Sequence, residues 1–311
     1  MNKLTQSLID RTAWVLTVVF ALDRLLKLAA IVHFFRRPRP GAPPSWPAIT
    51  LLCPISRSPN DLRRALRARA ELEYPGPLTC LLICDTGDLV SQAVCRELIA
   101  ANPDWQARLL LTRPDGGVVA SKIAKLQVGL EHAAGDLFCF VDDDVTLPAN
   151  AMQILATYAV QPDVGAAFGL AHYTAWTSLA ESLMSGFVNT NALFSYVPIS
   201  YLVEPFTITG HCFMLRREVF RAVGGLDGMA GRIDDDHELA RRLHRHGLRN
   251  RQTPLIYAVE IASPPWPTTT IRSGAGSLSR ARPWCPFFPD ANVARCSSAA
   301  SARCCRPYWQ L

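Results

Sequence analysis

Three acidic positions carry the chemistry this chain could perform. The first is a cluster, Phe138-Cys139-Phe140-Val141-Asp142-Asp143-Asp144-Val145, in which three carboxylates follow an apolar run. Side chains alternate along an extended segment. Asp142 and Asp144 would then share a face, about 7 Å apart at Cα, with Asp143 pointing away. Two such carboxylates repel unless a cation lies between them. A hard divalent ion, Mg²⁺ or Mn²⁺, suits these oxygen ligands, and a bound diphosphate would complete its shell. The competing reading is a solvated acidic turn. The second cluster, Asp234-Asp235-Asp236, follows a glycine-rich stretch (224–231) and precedes a helical pattern from His237 to His246. One acid is accounted for as a cap on that helix, where the dipole favours negative charge. Three exceed what capping needs, so a general base beside a flexible loop is the sharper reading. The third position, Asp85, ends an apolar run and is followed by Thr86-Gly87-Asp88. It could hold a nucleotide base or ribose, or simply cap a turn.

These residues need a scaffold, and the pattern from Ala48 onward supplies one. Apolar runs at 49–55, 78–84, 108–111, 137–141 and 165–170 alternate with amphipathic stretches at 58–72, 91–101, 121–134 and 149–159. Continuous apolar strands between such helices predict a mostly parallel sheet covered on both faces, an α/β fold of Rossmann-like type. Ligands of these sheets bind beyond the carboxyl ends of the strands, where Asp85 and the Asp142 cluster lie. Walker and G-x-G-x-x-G loops are absent, and the histidines have no zinc-type spacing with cysteine.

Composition narrows the classes further. Hydrophobic residues make up 49% and charged residues 19% of the 311, which excludes intrinsic disorder. The net charge of +6 comes from 28 Arg and 4 Lys against 26 acids, spread along the chain. That favours anionic partners such as phosphates or acidic lipid, and no nucleic acid. Six of the ten cysteines sit inside apolar runs and no C-x-x-C occurs, so unpaired thiols in a reducing compartment are expected.

The ends differ from the middle. Residues 1–37 read as a transmembrane or interfacial helix: Trp14–Leu22 and Leu28–Phe35 are apolar, but Asp23, Arg24 and Lys27 interrupt them. Arg36, Arg37 and Arg39 follow, which puts the rest of the chain in the cytoplasm, at a bacterial inner membrane. Residues 38–47 are a proline-rich linker and 48–272 the α/β domain. The last 39 residues (273–311) hold four cysteines, five arginines and a single acid, Asp290, without helical or strand period, and read as a disordered tail.

In chain order the motifs are Asp85, Lys122-Ile123-x-x-Leu126, Asp142-x-Asp144, Thr209-Gly210 before Cys212-Phe213-Met214-Leu215-Arg216-Arg217, Gly224-Gly225-Leu226 and Asp235-Asp236. Over residues 48–262 the chain resembles the inverting GT-A glycosyltransferases of families 2 and 21, the ceramide glucosyltransferase branch. The resemblance implies a UDP-sugar donor, a lipid acceptor (ceramide- or hopanoid-like) and a divalent cation, Mn²⁺ or Mg²⁺. It assigns Asp85 and Lys122 to the nucleotide sugar, Asp142 and Asp144 to metal and diphosphate, and Asp236, with Asp235 beside it, to the base. The family's Gln-x-x-Arg-Trp motif is missing. Trp266–Arg272 looks like its approach, and Arg282-Pro283-Trp284 is not the motif, as a frameshifted gene end would produce. Two other functions compete. The Asp142-x-Asp144-Val145-Thr146 run matches the nucleophile motif of haloacid-dehalogenase-type phosphohydrolases, and the damaged tail suits a catalytically dead sugar-nucleotide binder.

Overall fold

A computed structural model describes residues 3–56, 59–113, 121–230 and 234–260. The described residues belong to one compact unit, and 261–311 lie outside them. The expected Trp266–Arg272 approach and irregular tail therefore fall outside them. The strands are β1 (Ile49–Ile55), β2 (Leu78–Asp85), β3 (Ala107–Thr112), β4 (Leu137–Val141), β5 (Val145–Thr146), β6 (Val164–Tyr173), β7 (Cys212–Arg216) and β8 (Arg249–Val259). The helices are α1 (Lys3–Arg36), α2 (Pro59–Ala70), α3 (Leu89–Ala101), α4 (Ser121–Glu131), α5 (Ala151–Ala159), α6 (Leu179–Asn191), α7 (Val197–Ile199), α8 (Arg217–Ala222) and α9 (Asp235–Arg245).

All eight strands form one sheet in the order β3-β2-β1-β4-β7-β6-β8-β5. β3, β2, β1 and β4 run parallel, as do β6 and β8, whereas β7 is antiparallel to both its neighbours and β5 to β8. The parallel half is the part predicted by the buried apolar runs; every residue of β1 and β4 is buried. The reversed direction of β7 follows from a long excursion between β6 and β7 that turns the chain back.

Alternate strand residues feed two cores. Leu51, Cys53, Leu82 and Cys139 meet Leu62 of α2, Val94 of α3 and Met152 of α5 on one face. On the other, Leu52, Ile83 and Phe140 meet Ile123 and Leu126 of α4, Phe220 of α8 and Leu243 of α9. Burial of these side chains is the main stabilising term, roughly 25 cal/mol per Å² of apolar surface. The six expected core thiols are free and buried. β1 lies between β2 and β4, so the chain leaves β1 on one side and returns on the other. This makes a crevice at the carboxyl ends of β1, β2 and β4. α4 rests close over that crevice: a Cβ at Gly129 would lie 2.7 Å from Ile83 Cδ1 and 2.8 Å from Leu52 Cδ2.

The N-terminal helix is more closely tied to the domain than a linker-separated element. Phe34 is fully buried with Leu170 of β6, Ala192 and Val197. His33 Nδ1 is 2.7 Å from the Tyr201 hydroxyl, and Arg37 donates to the Gln252 carbonyl at 3.2 Å. At the end of the proline-rich stretch Trp46 packs edge-on against Tyr74, at 5.4 Å between ring centres. Upstream of Phe34, α1 leaves large apolar residues exposed. Asp23 pairs with Arg24 and, at 3.2 Å, with Lys27. Among the described residues no helix is long and apolar enough to cross a membrane.

Phe34→Ala should therefore destabilise the whole domain by about 3 kcal/mol or more, the usual effect of emptying a buried aromatic site. Chemical denaturation of the full chain checks this. An unchanged midpoint would mean that α1 is merely tethered.

Candidate functional site

The site is assembled at the carboxyl ends of β1, β2 and β4 by two lysines one turn apart on α4. Lys125 is fully buried. Its ammonium lies 2.8 Å from Asp85 Oδ2 at the end of β2, and it also donates to the Ser56 hydroxyl just past β1. Lys122 lies 2.7 Å from Asp142 Oδ1 at the end of β4 and 3.3 Å from the Gly210 carbonyl. A buried ion pair of this kind holds its geometry because losing one partner strands a charge, a penalty of about 3–5 kcal/mol. The chain past Asp85 is fixed by Gln92, whose amide donates to the carbonyls of Asp85 at 2.8 Å and Thr86 at 3.2 Å. Asp88 caps α3 by accepting from Ser91 N at 3.0 Å. Asp85 Oδ1 is buried and has no hydrogen-bond donor among the described residues.

The three aspartates after β4 divide their labour differently from an extended strand. Backbone pairing with β7 ends at Val141, and Val145 N closes a turn onto the Asp142 carbonyl at 3.3 Å. Strict alternation of Asp142, Asp143 and Asp144 is therefore lost. Asp142 is half-buried and faces Lys122. Asp143 is buried and accepts from Ser56 N at 2.6 Å, so the middle residue locks β4 to β1. Asp144 is buried as well, and its carbonyl accepts from Glu260 N at 3.3 Å. Beneath the turn the fully buried Arg69 of α2 donates to the Asp142 carbonyl. Among the described residues no group of three or more His, Cys, Asp or Glu side chains converges as a metal cage would.

The second acidic cluster arrives from the other direction. Asp234 is the N-cap residue of α9, but its side chain makes no capping hydrogen bond; Asp235, Asp236 and Glu238 occupy the first turn. The carboxylate of Asp236 lies directly over Gly210, where an added Cβ would be 2.8 Å from Asp236 Oδ2. Gly210 is thus required by close approach, not by its backbone angles. Asp236 Oδ1 accepts from His237 N at 2.7 Å. The glycine-rich stretch ahead of α9 is held rather than flexible over its described part. Gly224 and Gly225 turn at φ +82° and +49°. Arg242 of α9 donates to the carbonyls of Gly225 at 3.4 Å and Asp227 at 2.8 Å while its Nε meets Glu238 at 3.0 Å. Residues 231–233 lie outside the described residues.

Lys122 joins the two clusters. Burial pushes its ammonium pKa down, but Asp142, Asp235 and Asp236 together hold it above the usual lysine value. Burial also pushes the Asp235 carboxyl up, and its neighbours Asp236 and Asp142 add to this against the pull of Lys122. Asp85, Lys122, Asp142 and the Asp235–Asp236 pair are therefore brought together as the sequence suggested. Sequence reasoning missed Lys125, Ser56, Asp143 and Arg69. One signal was present: Lys122 and Lys125 are two of four lysines in a chain with 28 arginines, three residues apart on one helix.

Comparison with known proteins bears on the fold and the family. A mannosyltransferase from Pyrobaculum calidifontis, solved in complex with GDP-Man and Mn²⁺, superposes with a TM-score of 0.58 at 19% identity. The match covers 79% of this chain and 67% of that one, and establishes a shared GT-A fold. An N-acetylglucosaminyltransferase of Bradyrhizobium elkanii is 28% identical over 127 residues, 40% of this chain and 65% of that protein. One from Rhizobium meliloti (strain 1021) is 27% identical over 124 residues, 40% of this chain and 28% of that protein. The chain thus spans less than two thirds of the length of these relatives. The phosphohydrolase reading fails, because Asp142 follows the fourth strand rather than the first and the family is a different one. Residues 12–262 match the family model of glycosyl transferase family 21, and the chain belongs to that family.

Proposed function

We propose that this chain is a membrane-associated hexosyltransferase that moves a sugar from a UDP-sugar to the hydroxyl of a ceramide- or hopanoid-like lipid, with inversion, on the cytoplasmic side of a bacterial inner membrane. The observation that carries the reading is the position of Lys122. It pairs with Asp142 at the donor end of the crevice and donates to the carbonyl of Gly210, over which the Asp236 carboxylate lies on the acceptor side. A transferase needs these two halves side by side: charge neutralisation for a diphosphate and a carboxylate for the acceptor proton.

Each residue then has a role. Asp85 offers the buried Oδ1 to an N–H donor of the nucleotide base. Lys122 supports the diphosphate. Asp236 takes the proton from the acceptor hydroxyl. That oxygen forms its bond to the anomeric carbon as the bond to the diphosphate breaks, and one in-line displacement inverts the centre. Asp142 and Asp144, carboxylates on the turn after β4, would hold a divalent ion with few protein ligands, since Mg²⁺ is usually bound through one or two carboxylates plus substrate phosphates and water. Such an ion, when bound, neutralises charge on the leaving diphosphate. The GDP-Man and Mn²⁺ in the Pyrobaculum structure support a sugar nucleotide and a divalent cation.

Asp236→Asn should leave UDP-sugar affinity, read by calorimetry, near that of the unmodified chain while lowering transfer by about 10²–10⁴-fold, the usual weight of a general base. Transfer from UDP-glucose or UDP-N-acetylglucosamine to a lipid acceptor is the assay. Loss of donor binding would move Asp236 to the donor side. A parent chain that binds UDP-sugar without transferring it would support the inactive-homologue reading.

Asp235 gives a test with a pH sign. Its carboxyl pKa is raised in the folded chain, so its contribution to stability is complete below the ordinary carboxylate value and is lost as pH rises through the raised one. Asp235→Asn should therefore raise the melting temperature at neutral pH, and the gain should vanish in acid. A gain independent of pH would contradict the assigned cause.

A further inference from the structure

We infer that the excursion between β6 and β7 is a second lipid-contacting surface, continuous with α1, that delivers a membrane-embedded acceptor to Asp236. This rests on the membrane-associated reading above and extends it to a segment without a membrane-like apolar run. The excursion consists of α6, a π-helical turn (Ala192–Tyr196) and α7. A capping box between Ser178 and Glu181 starts it, and Asn189 clamps it to the sheet edge through both backbone groups of Tyr173, at 2.8 and 2.9 Å. It is thus a fixed element with an apolar exterior. Leu179, Leu183 and Phe187, spaced four apart on one face of α6, are 77%, 66% and 53% exposed. Trp176 before the helix and Leu202 and Phe206 beyond α7 are also exposed. Soluble surfaces rarely leave so many large apolar side chains together.

What covers this face is indicated by its neighbour. A groove of about 570 Å³ separates α6 from α1, with Leu183, Phe187 and Phe194 on one wall and Arg24 and Lys27 on the other. On α1 the exposed residues Trp14, Val15, Leu16, Val18, Val19 and Phe20 spread over about 240° of the helix circumference at 100° per residue. A helix apolar most of the way round is enclosed by a protein core or by lipid. The cationic Arg24 and Lys27 on the groove wall favour lipid over a protein core, so the occupant of α1 is lipid, and the α6 face across the groove shares it. The basic wall adds charge complementarity: Asp23 offsets one of the Arg24 and Lys27 charges, and the other attracts an anionic headgroup. Both ends of the excursion reach the site. Tyr173 packs edge-on against His211, at 6.3 Å between ring centres, and Gly210 lies under Asp236.

The test uses the full chain and flotation with two vesicle types, phosphatidylcholine alone and phosphatidylcholine mixed with phosphatidylglycerol. The double variant Leu183→Glu, Phe187→Glu should lower the fraction bound by about tenfold or more, with binding of the unmodified chain stronger on the anionic vesicles. Both side chains are exposed, so the melting temperature should stay unchanged; Leu179→Ser, a milder change on the same face, should give an intermediate loss. Undiminished flotation of the double variant would overturn the inference. So would a concentration-dependent dimer, seen by sedimentation of the parent chain and lost in the variant, because the face would then belong to a second copy. A chain that floats as expected but transfers no sugar would sink the transferase reading and leave this surface standing.

Discussion

The ammonium of Lys122 is the interaction on which the site depends. It lies among carboxylates that come from two distant parts of the sequence, Asp142 at the end of β4 and Asp235–Asp236 at the start of α9. Without a cation there, like charges at short range in a partly dry crevice would repel and push one another toward the neutral acid. With it, an acidic donor end and an acidic acceptor end coexist. The rest of the machinery keeps that ammonium in place. Lys125, one turn on, anchors the same helix to Asp85, and Gly129 lets the helix sit directly on Leu52 and Ile83.

A second buried cation does a complementary task on the opposite side of the turn. Arg69 grips the Asp142 carbonyl from α2, while Asp143 turns inward to Ser56 N. The acidic turn is therefore held through its backbone and its middle residue, which leaves Asp142 directed at Lys122. Gly210 plays the corresponding part for Asp236, since any side chain at that position would meet the carboxylate. Two close approaches and three charge contacts thus fix positions that separate strands and helices alone would leave loose.

Much of this was legible from residue order. The buried apolar runs marked β1, β2 and β4 because a strand covered on both faces shows no alternation. Asp85, Asp142 and the Asp235–Asp236 pair were visible as acids placed directly after or before such elements. The mixed half was harder to read, because β7 pairs with β4 and β6, and the two-residue β5 with β8, across long connections that leave no local period. The inward role of Asp143 was hidden by the assumption of an extended backbone, which the turn closed by Val145 breaks. Lys125 and Arg69 were hidden because charged residues on amphipathic helices read as solvated unless their buried partners are known. The docking of Phe34 against Leu170 was likewise invisible, being a contact across more than a hundred residues of sequence.

One lysine couples both acidic clusters. Two double-mutant cycles on the unfolding free energy of the full chain test it most directly: Lys122→Gln with Asp142→Asn, and Lys122→Gln with Asp235→Asn. A coupling of roughly 0.5–3 kcal/mol is expected in both cycles, as for groups in direct interaction. Coupling to Asp142 alone, with Asp235 additive to within about 0.5 kcal/mol, would contradict it.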